Sequence, residues 1–445
     1  MQNYETVLQR YENEPRIKKI GLAHIFTNSE KLDFGCKRLW SYSYNMLSEP
    51  TKNAPALLYG IAWHLVCEHA LKEIKDTDTM ITVDRGVELV EEIGKRFLLD
   101  EQMSIDAFDV FEFIDECAGR MTRAIKGWIP HWAEKIHNEY EIVAIEQVVA
   151  APVFVNGEID GDVFTGNIRT RKDRNGYLWP FMMNDKTPYH EQDCTFQNIA
   201  MPYWRAGKID AIVRRRNTKS LFIVDHKTSA SPNGYARKFE YEQQLQSYAS
   251  LVTYEIERGE LQHLKGHTVN GLIWDIAHSR IGEPPKPLKS GKLSTAKSRC
   301  APSWLFEQAI IENGLDRNDY IDHIEHCKNT VDQSYFQILS KSIAANDMAL
   351  CFYEDYAVAV DMDRTRNALI YVNNEEFQIV ARRYPKCSEY LNCKFAHWCL
   401  PNVPLTDLWQ EKEEKDTKIY WKPLTPITNS DNLNLSEDNN YKLPF

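Results

Sequence analysis

What the chain lacks narrows it first. It has no apolar run approaching the roughly 18 residues of a membrane span, and its first twenty residues mix charges with isolated apolar positions, so neither a transmembrane helix nor a secretory leader is expected. Cysteine is scarce, with 10 in 445 residues, which excludes the disulfide scaffold of a small secreted domain. These absences point to a cytoplasmic protein (host cytoplasm if viral) in a reducing compartment, where a local cluster of cysteines suggests metal. Positive charge is also short: 53 Lys and Arg face 64 Asp and Glu, for a net charge of −11. Bulk charge therefore carries no argument for nucleic-acid binding. Such a claim has to rest on a local site, where a metal ion can invert the sign of the potential. A Walker phosphate loop, Gly-x-x-x-x-Gly-Lys-Ser/Thr, is missing, so no helicase motor is expected on this chain. No internal repeat occurs.

What is present reads as a globular protein. With 43% hydrophobic and 26% charged residues, the chain lies outside the regime of disorder. Short helical pieces are expected over 1–50. A buried helix is expected over about 55–75, with Asn53 and Pro55 as start signals and His64, Glu68 and His69 as polar exceptions. Helical spacing continues over about 83–138, from Val87, Val90, Ile93 and Phe97 to Phe108, Phe111, Ile114, Met121 and Ile125, and is taken as a helical insertion. β-Branched residues at 139–155 predict a strand ending at the Asn156-Gly157 turn. Two more strands are expected within 160–203, one at Val163 and Phe164 and one around 177–183. Then 207–215 and 220–228 form a hairpin turning at Arg216-Asn217-Thr218-Lys219. A helix starting near Phe239, a strand within 266–283, a Pro/Lys/Ser-rich loop at 284–299, helices through 304–347 and a helical pattern near 364–384 lead to a cysteine-rich end at 387–399. From 403 to 445 the composition is polar and patternless, as in a flexible tail.

Chemistry concentrates in the hairpin. Residues two apart on a strand share a face, so Asp225 and Lys227 present a carboxylate beside an ammonium, and the hairpin brings Asp210 alongside. Two carboxylates with water suit Mg²⁺, and a lysine next to them can orient an attacking water or offset charge in a phosphodiester transition state. On its own an Asp-x-Lys triplet equally describes a solvated strand end. An earlier copy of the same letters, Asp160 with Asp185 and Lys186, puts aspartate and lysine on adjacent positions and so on opposite faces of any strand, which favours the second copy. Two helical companions add weight. His64 and Glu68 lie four apart on the buried helix, and Gln244 and Tyr248 lie four apart just after the lysine. Each pair also fits an ordinary buried or amphipathic helix face.

At the other end, Cys387, Cys393 and Cys399 fall within thirteen residues. A tetrahedral or cubane site needs a fourth thiolate, for which Cys36 is the candidate; spacing alone allows zinc. Arg214, Arg215 and Arg216, with Lys219, make a local basic patch that suits a phosphate backbone or a solvated hairpin tip.

The order Gly60-x-x-x-His64, Gly207-x-x-Asp210, Asp225-x-Lys227 and Gln244-x-x-x-Tyr248 resembles the PD-(D/E)XK nuclease superfamily, in particular its RecB-type exonuclease branch of phage and bacterial members. The resemblance implies that His64, Asp210 and Asp225 bind the metal, that His226 lends its backbone carbonyl, that Lys227 is catalytic, and that Gln244 and Tyr248 belong to the motif that follows. Glu146 is the position matching a glutamate on the family's preceding strand, at an unusually long interval from Asp210. One cysteine early and three late is similar to the four-cysteine iron–sulfur subset of this branch, which implies a [4Fe–4S] cluster on Cys36, Cys387, Cys393 and Cys399. The implied fold is α/β: a restriction-endonuclease-like core with a central mixed sheet flanked by helices, the site at one sheet edge, and a helical insertion before the first core strand. A nuclease domain over 1–402 and a tail over 403–445 follow. The implied activity is Mg²⁺- or Mn²⁺-dependent hydrolysis of DNA by an exonuclease in recombination, repair or replication. A structure-specific or single-strand endonuclease, or a non-catalytic iron–sulfur DNA-binding subunit, are the alternatives. A helicase or a single-strand DNA-binding protein is the expected partner; the Ser436-Glu437-Asp438 and Pro444-Phe445 ending is similar to the tails of the latter.

Overall fold

The computed structural model describes residues 24–35, 48–50, 54–105, 107–155, 168–172, 178–182, 194–195, 199–239, 243–297, 300–345, most of 347–362, and 409–411. The chain starts with strand β1 (His24–Phe26), helix α1 (Asn28–Phe34) and strand β2 (Ser48–Pro50). The long helix α2 (Pro55–Thr77) begins with proline in its first turn, where no N–H is needed, and ends at Asp78 in the left-handed conformation, φ 48°. The expected insertion is helical, with α3 (Val83–Leu89), α4 (Arg96–Asp100) and α5 (Val110–Trp132). Asp109 caps α5 by accepting from the Glu112 N–H at 2.9 Å.

Strand β3 (Tyr140–Val155) follows, then a separate small sheet of β4 (Ile168–Lys172), β5 (Leu178–Met182) and β6 (Cys194–Thr195). The central hairpin is β7 (Ile199–Arg215) and β8 (Ser220–Ser229), with Asn217 taking φ 60° in its turn. Next come α6 (Pro232–Ala236), α7 (Gln244–Glu257), β9 (Thr268–His278), α8 (Ser303–Glu312), α9 (Ile321–Cys327), α10 (Gln333–Tyr335), β10 (Phe336–Ser342) and β11 (Trp409–Glu411).

The main sheet is mixed and six-stranded, in the order β1-β7-β8-β9-β10 with β3 also paired to β7. β3, β8 and β10 run antiparallel to their partners β7, β7 and β9, whereas β8–β9 and β1–β7 are parallel. One face packs against α2, α3 and α5 through Trp63, Trp128 and Trp132 among others, together with Ala211, Val213, Val224 and Ile273 from the sheet. The other face packs against α7 through Leu245, Ala249 and Val252, with Ile212, Ile223, Leu272 and Trp274 beneath them. This is the expected α/β architecture, helices on both faces of a mixed sheet. Among the described residues no helix is long and apolar enough to cross a membrane.

Several expectations need correction. The hairpin does not form a sheet edge, because β7 and β8 are paired on both sides. Residues 336–342, expected within a run of helices, form β10, since pairing with the open side of β9 overrides the local pattern. The helix expected from Phe239 begins at Gln244, while Phe239 packs its ring 5.1 Å from that of Trp274. Among the described residues, the first fifty hold two short strands beside α1, and Trp409–Glu411, within the segment expected as a tail, pairs with β2. The strand expected at Val163 and Phe164, the Asp160/Asp185/Lys186 copy, the helical pattern at 364–384, Cys36 and the cysteines at 387–399 lie outside the described residues.

Gly127 shows how closely the insertion seats. A Cβ there would meet the Trp304 ring at 2.6 Å and the Phe336 ring at 2.7 Å. Trp304 has little freedom to retreat, since its indole N–H donates to the Arg123 carbonyl at 3.0 Å. Alanine gains about 1 kcal/mol over glycine in a helix, but overpacking costs about 1–3 kcal/mol. Gly127→Ala is therefore expected to be net destabilising by up to about 2 kcal/mol in urea unfolding, against the helix scale; an unchanged or higher midpoint would show that the aromatic rings yield freely.

Candidate active site

The site grows from a fork between β7 and β8. Their ladder pairs Arg214 with Leu221, Val213 with Phe222, Ile212 with Ile223 and Ala211 with Val224, and it stops there. Asp210 and Asp225 would form the next pair. Beyond them β8 stays with β9 through Ser229, while β7 continues along β3 and reaches β1 at Tyr203–Arg205. The cleft between the diverging strands is closed at its apex by a side chain: Asp210 Oδ2 accepts the His226 backbone N–H at 2.7 Å, in place of a ladder bond.

Helix α2 lies across the cleft and brings His64 Nδ1 to 3.4 Å from the same Asp210 oxygen. Burial disfavours a charged imidazole, but the hydrogen bond and charge of Asp210, with Asp225 behind it, outweigh burial and raise the His64 pKa. Burial alone would raise Asp210 as well; His64 and the His226 N–H instead hold it well below the usual carboxylate range. Asp225 goes the other way. It is 3% exposed, so burial pushes it up, Lys227 pulls it back, and the nearby Asp210 charge leaves it at about 6. The two carboxylates thus split in protonation behaviour, the pattern expected when two acids share one low-dielectric site.

Lys227 Nζ stands 2.6 Å from Asp225 Oδ2, on the strand face that alternation predicts. Burial opposes its charge, yet Asp225 more than compensates, and its pKa is raised, so the ammonium persists at neutral pH. From the opposite side of the sheet α7 holds this lysine: Nζ donates to Gln244 Oε1 at 3.2 Å, and Gln244 Nε2 donates to the Tyr248 hydroxyl at 2.9 Å. Burial and the Asp225 charge push Tyr248 up to about 12, so it remains a neutral phenol. Its ring occupies the space over Gly207, where a Cβ would sit 2.4 Å from Tyr248 Cε1. Gly207 and Tyr248, read as parts of separate motifs, are in contact: the glycine is the seat of the tyrosine.

Glu146 lies between the pairs Ile145–Ala211 and Gln147–Ile209, opposite Asp210, with φ 50° in mid-strand. A left-handed residue inside a strand reverses its alternation. Accordingly Ile145 and Ala211 pack on the α2–α5 side, whereas Val149 and Ile209 pack on the α7 side. The irregularity turns Asp210 toward α2. Glu146 itself forms an ion pair with Lys208. Glu68, expected beside His64, pairs with Lys72.

Three further residues went unnoticed in the sequence. His226 Nδ1 and the Trp128 indole N–H both reach Asp275 Oδ2, at 2.8 and 2.7 Å, and Trp132 covers the imidazole with ring centroids 5.5 Å apart. Asp275 is 1% exposed. The available signal was a single acid inside an apolar run that alternation places in the core. The three arginines at the hairpin are all engaged. Arg214 pairs with Glu141 and contacts His267, Arg215 lies over Tyr140 and Phe222, and Arg216 grips Asp78 with both terminal nitrogens at 2.9 and 2.8 Å.

A family model described as the PD-(D/E)XK nuclease superfamily matches residues 34–400, more than half of the chain. No curated protein matches it.

The seat of Tyr248 yields a coupling test. Gly207→Ala is expected to cost about 1–3 kcal/mol in urea unfolding, because a buried ring with a bonded hydroxyl must move. In a Tyr248→Ala background the same change should cost well under half as much; equal costs in both backgrounds would mean that the ring does not constrain position 207.

Proposed function

Because this chain belongs to the PD-(D/E)XK nuclease superfamily, we propose that it is a divalent-metal-dependent exodeoxyribonuclease of the RecB-type branch, with His64, Asp210 and Asp225 as metal ligands and Lys227 as the catalytic lysine. The observation that carries the reading is the meeting of all four at the β7–β8 fork: His64 3.4 Å from Asp210, and Lys227 2.6 Å from Asp225. Two carboxylates and an imidazole in a partly buried cleft fit a hard divalent cation, which would also offset the burial and the Asp210 charge that raise Asp225. A cation held there would supply Lewis-acid stabilisation to the phosphoryl oxygens of DNA. Glu146, opposite Asp210 in the ladder, is assigned as an accessory ligand on release from Lys208, and the His226 carbonyl as a backbone ligand.

The chain's own groups divide the remaining work. Lys227 holds its proton and, fixed by Asp225 and Gln244, orients a water for attack and offsets charge on the phosphoryl group. Gln244 and Tyr248 act on that ammonium's position. Asp275 and Trp128 fix the His226 ring, and hence the strand segment whose N–H meets Asp210. The exonuclease reading draws on the pairing of a helical histidine with the Gln-x-x-x-Tyr helix, both of which touch the site. A [4Fe–4S] cluster on Cys36, Cys387, Cys393 and Cys399 belongs to the same proposal, supported by their spacing. So do a nuclease domain over 1–402, a role in recombination, repair or replication, contacts of Arg214, Arg215 and Arg216 with the DNA backbone, and a helicase or single-strand DNA-binding protein as partner.

Digestion of single- and double-stranded DNA, labelled at either end and compared with closed circles, tests this reading. Metal-dependent release of terminal nucleotides by wild type, abolished by EDTA and reduced at least about 10³-fold in Lys227→Ala, is expected. Cleavage of closed circles would replace the exonuclease by the endonuclease, and folded protein that retards DNA without cutting it would leave a binding subunit.

A separate experiment reads the metal itself. Mg²⁺ is expected to raise the melting temperature of wild type but not of Asp210→Asn or Asp225→Asn. The increment should shrink as pH falls through about 6, where a proton competes with the cation for Asp225. An increment that survives in both variants would place the cation elsewhere.

A further inference from the structure

A second group of metal-binding side chains lies away from the fork. The ligand atoms of Cys300, His323 and Cys327 all fall within 4.8 Å of one another. Two elements supply them. His323 and Cys327 are one turn apart on α9, with His323 Nε2 3.5 Å from Cys327 Sγ, and Cys300 comes from the loop that leads into α8. Both α9 donors are buried, at 6% and 0% exposure. The His323 ring is held by that of Phe306, with centroids 4.6 Å apart, so its Nε2 is aimed rather than free to turn.

The surroundings give this group a task. Among the described residues of 279–302 there is no α-helix or strand, an unusual length for a loop in a folded domain. Its start is held to the main core by buried Ile281, whose carbonyl accepts from Arg123 at 3.2 Å, and its far half by buried Leu293, whose N–H donates to the Tyr320 hydroxyl at 3.2 Å. Leu293 belongs to a satellite core with Phe306, Ala309, Ile310, Tyr320 and Ile324. From 294 to 301 no described residue is buried, so the end of the segment that carries Cys300 rests on this small core alone, and small cores of this kind are commonly stapled by a metal or a disulfide. Two thiolates and an imidazole are a borderline-soft donor set that selects zinc over the hard cations suited to Asp210 and Asp225.

We propose that Cys300, His323 and Cys327 bind a zinc ion, with solvent in the fourth position, and that this ion staples the 279–302 loop to α8 and α9. The proposal does not rest on the nuclease reading. In the sequence it shows as a His-x-x-x-Cys pair on a helix with a third donor 23 residues before it.

Zinc content and zinc-edge X-ray absorption of the purified full-length chain test the assignment. One zinc per chain is expected, with two sulfur and two nitrogen or oxygen neighbours. The zinc should be lost in Cys300→Ser and in Cys327→Ser and kept in Cys387→Ser. Cys300 is the half-exposed ligand, so its variant serves should Cys327→Ser fail to fold. Limited proteolysis should open the 279–302 loop first in either variant. The proposal is overturned by zinc-free protein from zinc-supplemented cells, by a four-sulfur shell, by zinc retained in Cys300→Ser, or by a Cys300–Cys327 disulfide in protein purified anaerobically.

Discussion

The whole site depends on one failed ladder pair. An antiparallel hairpin ordinarily continues its hydrogen bonds until a turn or an edge stops it. Here β7 and β8 separate immediately after Ala211 and Val224, and the first residues beyond the split are the two aspartates. A carboxylate makes the split tolerable, since Asp210 takes the His226 N–H that β7 would have taken. The same oxygen faces His64, so one side chain ends the ladder, satisfies the freed backbone and joins helix to sheet. Because β8 remains paired to β9 and β7 to β3, the strands part without leaving either unsupported.

Such a fork concentrates charge where folding alone would avoid it. Two carboxylates approach each other beside a buried lysine, and the raised Asp225 records the cost of burial together with the Asp210 charge. Lys227 offsets part of it, and Gln244 fixes where the offset acts. The arrangement keeps two carboxylates within reach of one another, the donor set that the proposed cation site in an acidic protein would need. The net charge of −11 is no obstacle to a DNA-cleaving reading, since the local sign at the cleft is set by what binds Asp210 and Asp225.

Much of this was legible because the chemistry sits on regular elements. The spacing of two between Asp225 and Lys227 fixed a shared face, and spacings of four placed His64 on one helix and Gln244 with Tyr248 on another. These rules are local and hold wherever the element forms. What escaped was non-local. Asp275 gains meaning only because parallel pairing sets it beside His226, a register that no local pattern encodes. The same holds for β10, whose strand character comes from the free side of β9, and for Gly207, whose need to be glycine resides in a tyrosine from another helix. Glu146 adopts φ 50°, a conformation β-propensity would have counted against, and by doing so it turns Asp210 toward α2.

The helical insertion answers a question its periodicity left open, whether it is a cover or part of the core. Trp128 and Trp132 of α5 are fully buried and lie against His226, while Trp63 of α2 meets Trp128 edge-on with centroids 6.2 Å apart. The Trp128 indole shares one oxygen of Asp275 with His226, so the insertion reaches the residue next to both Asp225 and Lys227. A lid that opens and closes would have to break this buried bond and strip two tryptophans from the sheet at each cycle, a loss of several kcal/mol by the usual value of buried aromatic area. The insertion is thus a fixed floor: it sets the position of β8 from below, as α7 sets the lysine from above, and access to the cleft is left to the open side of the fork.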